Sequence, residues 1–308
     1  MGLGGNSYGP VNDSESEKAL KLAFENGVNF FDTSDLYGDG HSEELLGGVF
    51  KDVRDKVIIA TKGGTLPHSG FEMPQDFSPQ YLEKALEKSL KRLKTDYIDL
   101  YQLHSPRIPD IEKNERVVPV LEEFKKKGKI KVYGISARSP DDGKTAIEKY
   151  NFPVLQVNFN MIDQRAIENG LFDLAKEKDV GIIVRTPLVF GYLTGKLKGD
   201  EHFQGIDHRK NWPKEQLQRW ANASNLFSFL YKSKYMTPAQ AALRFCLENE
   251  AVSTVIPGMM NISEVKENIQ VCEIPSFVSE EIKQIRQIYK SCNFYDNMAK
   301  QKDINHEQ

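Results

Sequence analysis

Seven short, almost unbroken apolar runs recur along the chain, and the stretches between them are long enough for helices. The runs are Gly27–Thr33, Val57–Lys62, Ile98–His104, Lys131–Ser136, Val154–Phe159, Gly181–Arg185 and Val252–Ile256. A strand with one wet face alternates apolar and polar residues. A run that is apolar throughout belongs to a strand buried on both faces, as in a parallel sheet covered by helices. With Gly2–Gly5 as a first strand the count reaches eight, and strand–helix alternation over the whole length predicts a parallel eight-stranded (β/α)8 TIM barrel. A chain of 308 residues suits one such barrel, and no repeat or shift in composition marks a boundary, so residues 1–308 are expected to form a single domain. No segment precedes Gly2–Gly5, so the hairpin that would floor the barrel is expected to be missing.

Capping residues punctuate the helical stretches. Ser14 with Glu17 three residues on predicts a helix start, and Gly27 its end. Ser78-Pro79 and Thr237-Pro238 open two more helices, running to Leu93 and about Glu248. The polar segment from Leu197 to about Trp220, carrying His202, His208 and Trp212, is expected to be a long functional loop. A polar tail, about 291–308, is expected to drape or fray.

Charge and cysteine usage exclude several classes. A net charge of −3 leaves no basic footprint for nucleic acid. No apolar run nears the roughly 20 residues that span a membrane, and Met1–Gly5 has no signal-peptide pattern. Cys246, Cys272 and Cys292 are three and scattered, which predicts a reducing, cytoplasmic setting without a disulfide framework. The histidines are scattered too, and His202, Asp207 and His208 show no zinc or iron spacing, so no metal is expected.

In a barrel of this kind the carboxyl ends of the strands meet on one rim, where active sites lie. Asp32, Lys62 and His104 end three successive runs, and Tyr37 follows Asp32 in the next loop. Taken singly, each has an ordinary explanation as a solvated rim residue, a structural histidine or a loop aromatic. Together they are the set that carbonyl reduction requires. Reduction needs a proton for oxygen as well as a hydride for carbon. A phenol is a weak acid, but a lysine ammonium beside it stabilises the phenolate. A carboxylate pairs with that lysine, and an imidazole polarises the substrate oxygen.

Phe31-Asp32-Thr33-Ser34 with Tyr37-Gly38, Ala60-Thr61-Lys62, and Asp99-Leu100-Tyr101-Gln102-Leu103-His104 resemble the aldo-keto reductases. The likeness continues through Gly134-Ile135-Ser136, Leu193-Thr194-Gly195-Lys196, Asp207-His208-Arg209 and Val255-Ile256-Pro257-Gly258, in order over nearly the whole chain. It implies a barrel that binds a nicotinamide dinucleotide without a Rossmann domain, and it makes Asp32, Tyr37, Lys62 and His104 the catalytic tetrad. It places Ser136 and Gln156 on the carboxamide and Arg185 against the nicotinamide, where a guanidinium plane can stand in for an aromatic ring. Pro187, Leu188, Gly191, Leu193, Gly195 and Lys196 cover the pyrophosphate, Ile256 and Gly258 flank the adenosine end, and Glu267 and Asn268 reach the adenine.

One departure bears on the cofactor. Members with this Ile-Pro-Gly motif place an arginine two residues after the glycine, on the 2'-phosphate of NADP. Here that residue is Met260, which has no charge to offer phosphate, and Glu264 adds a carboxylate of the kind that favours a free 2'-hydroxyl. The resemblance implies NADP(H); these two residues keep NAD(H) open. The implied function is oxidoreduction between an aldehyde or ketone and an alcohol, with a small-molecule substrate. Tyr8, His68, Arg107 and Trp212 are candidates to line its pocket. Two alternatives remain at this stage. A non-catalytic nucleotide-binding sensor or regulatory subunit would bind cofactor without turnover, and a Schiff-base lyase would use Lys62 as a nucleophile.

Overall fold

The computed structural model describes residues 3, 7–9, 11–68, 72–205, 207–232 and 236–295. Seven strands run β1 (Phe30–Asp32), β2 (Ile58–Gly63), β3 (Ile98–His104), β4 (Ile130–Ser136), β5 (Val154–Asn158), β6 (Gly181–Arg185) and β7 (Val252–Val255). They pair in chain order, every neighbour parallel. Parallel neighbours need a crossover between them, and the helices provide it. Those helices are α1 (Asp13–Glu25), α2 (His41–Phe50), α3 (Pro79–Leu93), α4 (Ile108–Glu112), α5 (Val117–Lys126) and α6 (Pro140–Tyr150). There follow α7 (Arg165–Glu168), α8 (Leu171–Glu177), α9 (Lys214–Leu226), α10 (Pro238–Leu247), α11 (Ile262–Ile269) and α12 (Ser279–Ser291).

The fold is of the (β/α)8 type with seven strands among the described residues. A cavity of about 670 Å³ lies between β1 and β7, lined by Phe30, Phe31, Thr254 and Val255 together with Leu3 and residues of α1 and α11. An eighth strand would close the barrel at that seam. Of the segment expected to form it, Gly2, Gly4 and Gly5 lie outside the described residues, and Leu3 is buried. The expectation of an uncovered floor falls on the same segment.

Two local expectations are corrected. Asn12, not Ser14, caps α1, its Oδ1 accepting the Glu15 N–H at 3.2 Å. The loop after Leu197 ends before Trp220, because α9 begins at Lys214. Leu217, Trp220, Ala221 and Ser224 are its buried face, a helical stripe hidden within a polar stretch. The start of the polar tail packs against α9. Phe294 is buried, and the Asn293 and Phe294 carbonyls accept from Arg219 at 3.3 Å and Gln216 at 2.7 Å. Residues 296–308 lie outside the described residues.

Helices α2 and α3 touch backbone to backbone at Gly47, where an added Cβ would stand 2.5 Å from the Arg92 carbonyl oxygen. Backbone cannot swing aside as a side chain can, so Gly47→Ala must push α2 off α3. The expected cost is about 1–3 kcal/mol, read as a lowered urea midpoint at unchanged m-value.

Candidate active site

Side chains alternate between the two faces of a strand, so residues two apart share one face. Ala60, Leu100 and Ile183 pack with Phe30, Val132, Val154 and Ile256 as a separate small apolar cluster. Counting two residues on from Phe30, Ala60, Leu100, Val154 and Ile183 gives Asp32, Lys62, Gln102, Gln156 and Arg185; four on from Leu100 and Val132 gives His104 and Ser136. The inner face is therefore an apolar plug with a polar layer toward the carboxyl ends of the strands.

The polar layer centres on a buried ion pair. Lys62 Nζ donates to Asp32 Oδ1 at 2.6 Å and to the Thr33 carbonyl at 2.8 Å. Asp32 Oδ2 accepts from the amides of Gln156 at 2.8 Å and Gln102 at 3.3 Å. The Lys62 ammonium also lies 5.0 Å from the centre of the Tyr37 ring. Burial works against the Lys62 charge, but Asp32 and then Tyr37 outweigh it and hold its pKa above the ordinary lysine range. The Tyr37 and His104 rings meet edge to face at 6.0 Å. Burial first, and then the charges of Lys62, Arg185 and His68, push the His104 pKa well below the ordinary value, so the ring stays neutral. The end of β3 is anchored by Thr65 and Gln75, which donate to the His104 carbonyl at 2.6 and 3.2 Å.

After β6 the backbone is strained. Thr186, Val189 and Phe190 have φ of 57°, 49° and 55°, a left-handed region that β-branched and bulky residues avoid. Gly191 and Gly195 follow at 98° and 71°, where glycine is the residue without penalty. Arg209 closes on Asp207 at 2.6 Å and reaches the Phe190 carbonyl at 3.4 Å. Strain retained in this way clusters at functional sites.

The aldo/keto reductase family model matches residues 1–290. This chain belongs to the aldo/keto reductase family. It is 34% identical over 290 residues to the uncharacterized oxidoreductase YqkF of Bacillus subtilis, spanning 93% of this chain and 91% of that one. It is 32% identical over 299 residues to an L-glyceraldehyde 3-phosphate reductase of Escherichia coli O157:H7, spanning 91% and 86%. Among solved structures, the holo form of aldo-keto reductase AKR11C1 from Bacillus halodurans superposes with a TM-score of 0.78 at 29% identity, covering 99% of this chain and 94% of that one. The family makes the protein an oxidoreductase.

Several of the residues that the aldo-keto reductase resemblance assigns to the cofactor are tied to one another or to neighbouring backbone. Ser136 Oγ donates to Gln156 Oε1 at 3.3 Å, so the two form one polar unit. Arg185 donates to the Ala137 carbonyl at 3.0 Å. Pro187, Leu188, Gly191 and Leu193 belong to the strained segment, and Lys196 at its end pairs with Glu267 at 3.0 Å. The Gly258 carbonyl accepts from Asn268 at 3.2 Å, and the Ile256 N–H donates to Val184 at 3.0 Å. At the start of α11, Glu264 Oε2 accepts the Met260 N–H at 2.7 Å while Asn261 Oδ1 accepts the Glu264 N–H at 3.0 Å.

The substrate candidates divide. Tyr8 is close enough to Tyr37, Arg185 and Arg209 to feel their charges and meets His208 edge-on at 4.6 Å. His68 is exposed, its Nδ1 bound to the Leu66 carbonyl at 2.9 Å. Arg107 is engaged by Asp110 at 2.7 Å. Trp212 packs on Trp220 at 4.9 Å and Phe190 at 6.2 Å, which ties it to the strained segment. Sequence reasoning missed Gln102 and Ser34. Gln102 was findable, since it lies two residues before His104 on the same face. Among the described residues no group of three or more His, Cys, Asp or Glu is placed to hold a metal ion, and no helix is long and apolar enough to cross a membrane.

Proposed function

We propose that this aldo-keto reductase interconverts an aldehyde or ketone and an alcohol, with Tyr37 as proton donor in reduction and acceptor in oxidation. The observation that carries it is the buried Lys62 ammonium, held by Asp32 and lying 5.0 Å from the Tyr37 ring, with a neutral His104 ring edge-on to that ring. A nicotinamide dinucleotide, when bound, supplies or receives the hydride. The donor set fits it: the Ser136 hydroxyl and Gln156 amide suit a carboxamide, and the Arg185 guanidinium suits a flat ring. The left-handed backbone from Val189 to Gly191, with Lys196, suits a diphosphate.

The protein groups then divide the tasks. Tyr37 passes its proton to the carbonyl oxygen, and the Lys62 charge stabilises the phenolate left behind. Asp32 holds Lys62 in place, and Gln102 and Gln156 satisfy the second Asp32 oxygen so that the carboxylate does not turn away. His104 donates to the carbonyl oxygen and polarises it. Lys62 is a poor Schiff-base nucleophile in this setting, because its raised pKa keeps it protonated.

The rim carries Arg107, Arg138, Arg185 and His68, opposed by Asp110 and Asp142. Burial and the neighbouring Arg107 charge push the Arg138 pKa down to about 10. Such a rim favours a small polar or anionic carbonyl compound, and one relative is named for a phosphorylated aldehyde. The test is cofactor oxidation with glyceraldehyde, its 3-phosphate and an uncharged aliphatic aldehyde. Cofactor binding without turnover on any of a broad carbonyl panel would favour the sensor instead.

Glu264 bears on cofactor choice. Its carboxylate occupies the Met260 N–H, beside the position where the resemblance puts the 2'-phosphate, and would repel a phosphate there. Glu264→Gln is expected to improve NADPH affinity relative to NADH by roughly tenfold, the effect of about 1.4 kcal/mol of relieved repulsion. Fluorescence titration with both cofactors measures it.

A further inference from the structure

Ser34 is fully buried between Asp32 and Tyr37 in sequence, and the mechanism above gives it no task. Its Oγ lies 3.0 Å from His104 Nδ1 and 3.2 Å from Asp35 Oδ1, and it accepts the Leu36 N–H at 3.1 Å. A hydroxyl has one proton to give and two lone pairs. One lone pair is spent on Leu36, so the proton has two claimants, Asp35 and His104.

The two choices leave His104 in different states. If Asp35 is ionised, Ser34 donates to its carboxylate and accepts a hydrogen bond from His104 Nδ1–H. Nε2 is then bare and can only accept. If Asp35 is protonated, its hydroxyl donates to Ser34, and Ser34 donates to Nδ1. The ring proton then sits on Nε2, which has no hydrogen-bond partner among the described residues. Only this second tautomer can donate to a carbonyl oxygen. We propose that Asp35, acting through Ser34, selects the tautomer of His104 and so gates its capacity to polarise the substrate carbonyl. The inference rests on the role given to His104 under Proposed function, and it makes Asp35 and Ser34 positioning residues.

The surroundings put this selection in a useful range. Burial raises the Asp35 pKa first and the Glu43 charge on α2 adds to it; the Ser34 hydroxyl, Arg92 on α3 and the Leu36 N–H pull it back, leaving it at about 7. Arg92 is itself paired with Glu43 at 2.6 Å, and Tyr81 on α3 and Tyr101 on β3 also face the Asp35 charge. On the other side, Lys62, Arg185 and His68 act with burial to keep His104 neutral. With its charge fixed, the tautomer is the variable left to the ring.

Protein labelled with ¹⁵N-histidine tests the proposal, because Nδ1 and Nε2 shifts report the tautomer directly. The His104 signals are assigned by their loss in His104→Asn. The wild type is expected to pass from the Nε2–H to the Nδ1–H form as pH rises through about 7, and Asp35→Asn to keep the Nε2–H form throughout. In parallel, kcat for carbonyl reduction in the wild type is expected to fall about tenfold between about pH 6 and 8, as for one titrating group. Asp35→Asn and, independently, Ser34→Ala are expected to abolish that fall, which a general loss of fold would not do. The same His104 tautomer in wild type and Asp35→Asn at about pH 8 would overturn the proposal. A tautomer change with a flat wild-type rate profile would sustain the coupling but remove His104 from the role given it under Proposed function.

Discussion

Tyr37→Phe is expected to cost about two to four orders of magnitude in kcat for carbonyl reduction, the contribution of a well-placed general acid. The substitution keeps the ring that meets His104 edge-on and the face that lies over the Lys62 ammonium, so packing changes little. It removes only the hydroxyl, and with it the group whose conjugate base Lys62 stabilises. Cofactor affinity, read by fluorescence quenching, should stay within about threefold of wild type, because Tyr37 lies outside the donor set assigned to the dinucleotide. Single-turnover hydride transfer separates the chemical step from product release. Wild-type rates in Tyr37→Phe would remove Tyr37 as proton donor and send the search to another acid on the rim.

Lys62→Met is expected to destabilise the protein by about 3–5 kcal/mol, the cost of breaking a buried ion pair from one side. Both side chains of the pair are 1% exposed, so water cannot replace the lost ammonium. Asp32 would keep the Gln102 and Gln156 amides but lose the Lys62 ammonium. Asp32→Asn combined with Lys62→Met should recover part of the loss, since the stranded charge is then gone. Urea unfolding of wild type, both single variants and the double variant closes the cycle. Additive losses across the four proteins would mean that the pair is not the energetic unit the geometry describes. Activity should be lost in every variant of the cycle, because the Tyr37 phenolate loses its stabilising charge or the residue that positions it.

The strands could be read from the sequence because burial on both faces leaves an uninterrupted apolar run, and such a run survives without knowledge of its neighbours. Ile98–His104 and Gly181–Arg185 appear in the structure with the same limits. The four residues proposed to act together were legible for a related reason: polar, titratable residues at or just after the ends of buried runs stand out, and parallel topology brings those ends to one rim. Helix α9 was obscured because its buried stripe is short and sits among lysines, glutamines and asparagines, so composition outweighed period. The cap of α1 was displaced by two residues because Asn12 and Ser14 are both good capping residues, and which one turns inward depends on where the helix docks.

What the sequence determined by itself is the order of the elements, their parallel pairing and the four residue types delivered to the rim. These follow from the chain's own periodicity. The tertiary structure alone decided which polar groups share a proton. Gln102, Gln156 and Asp32 come from three strands, and Ser34, Asp35 and His104 from two elements 70 residues apart. Hydrogen bonds act over about 3 Å, and no pattern along the chain carries distances of that size between residues so far apart in sequence.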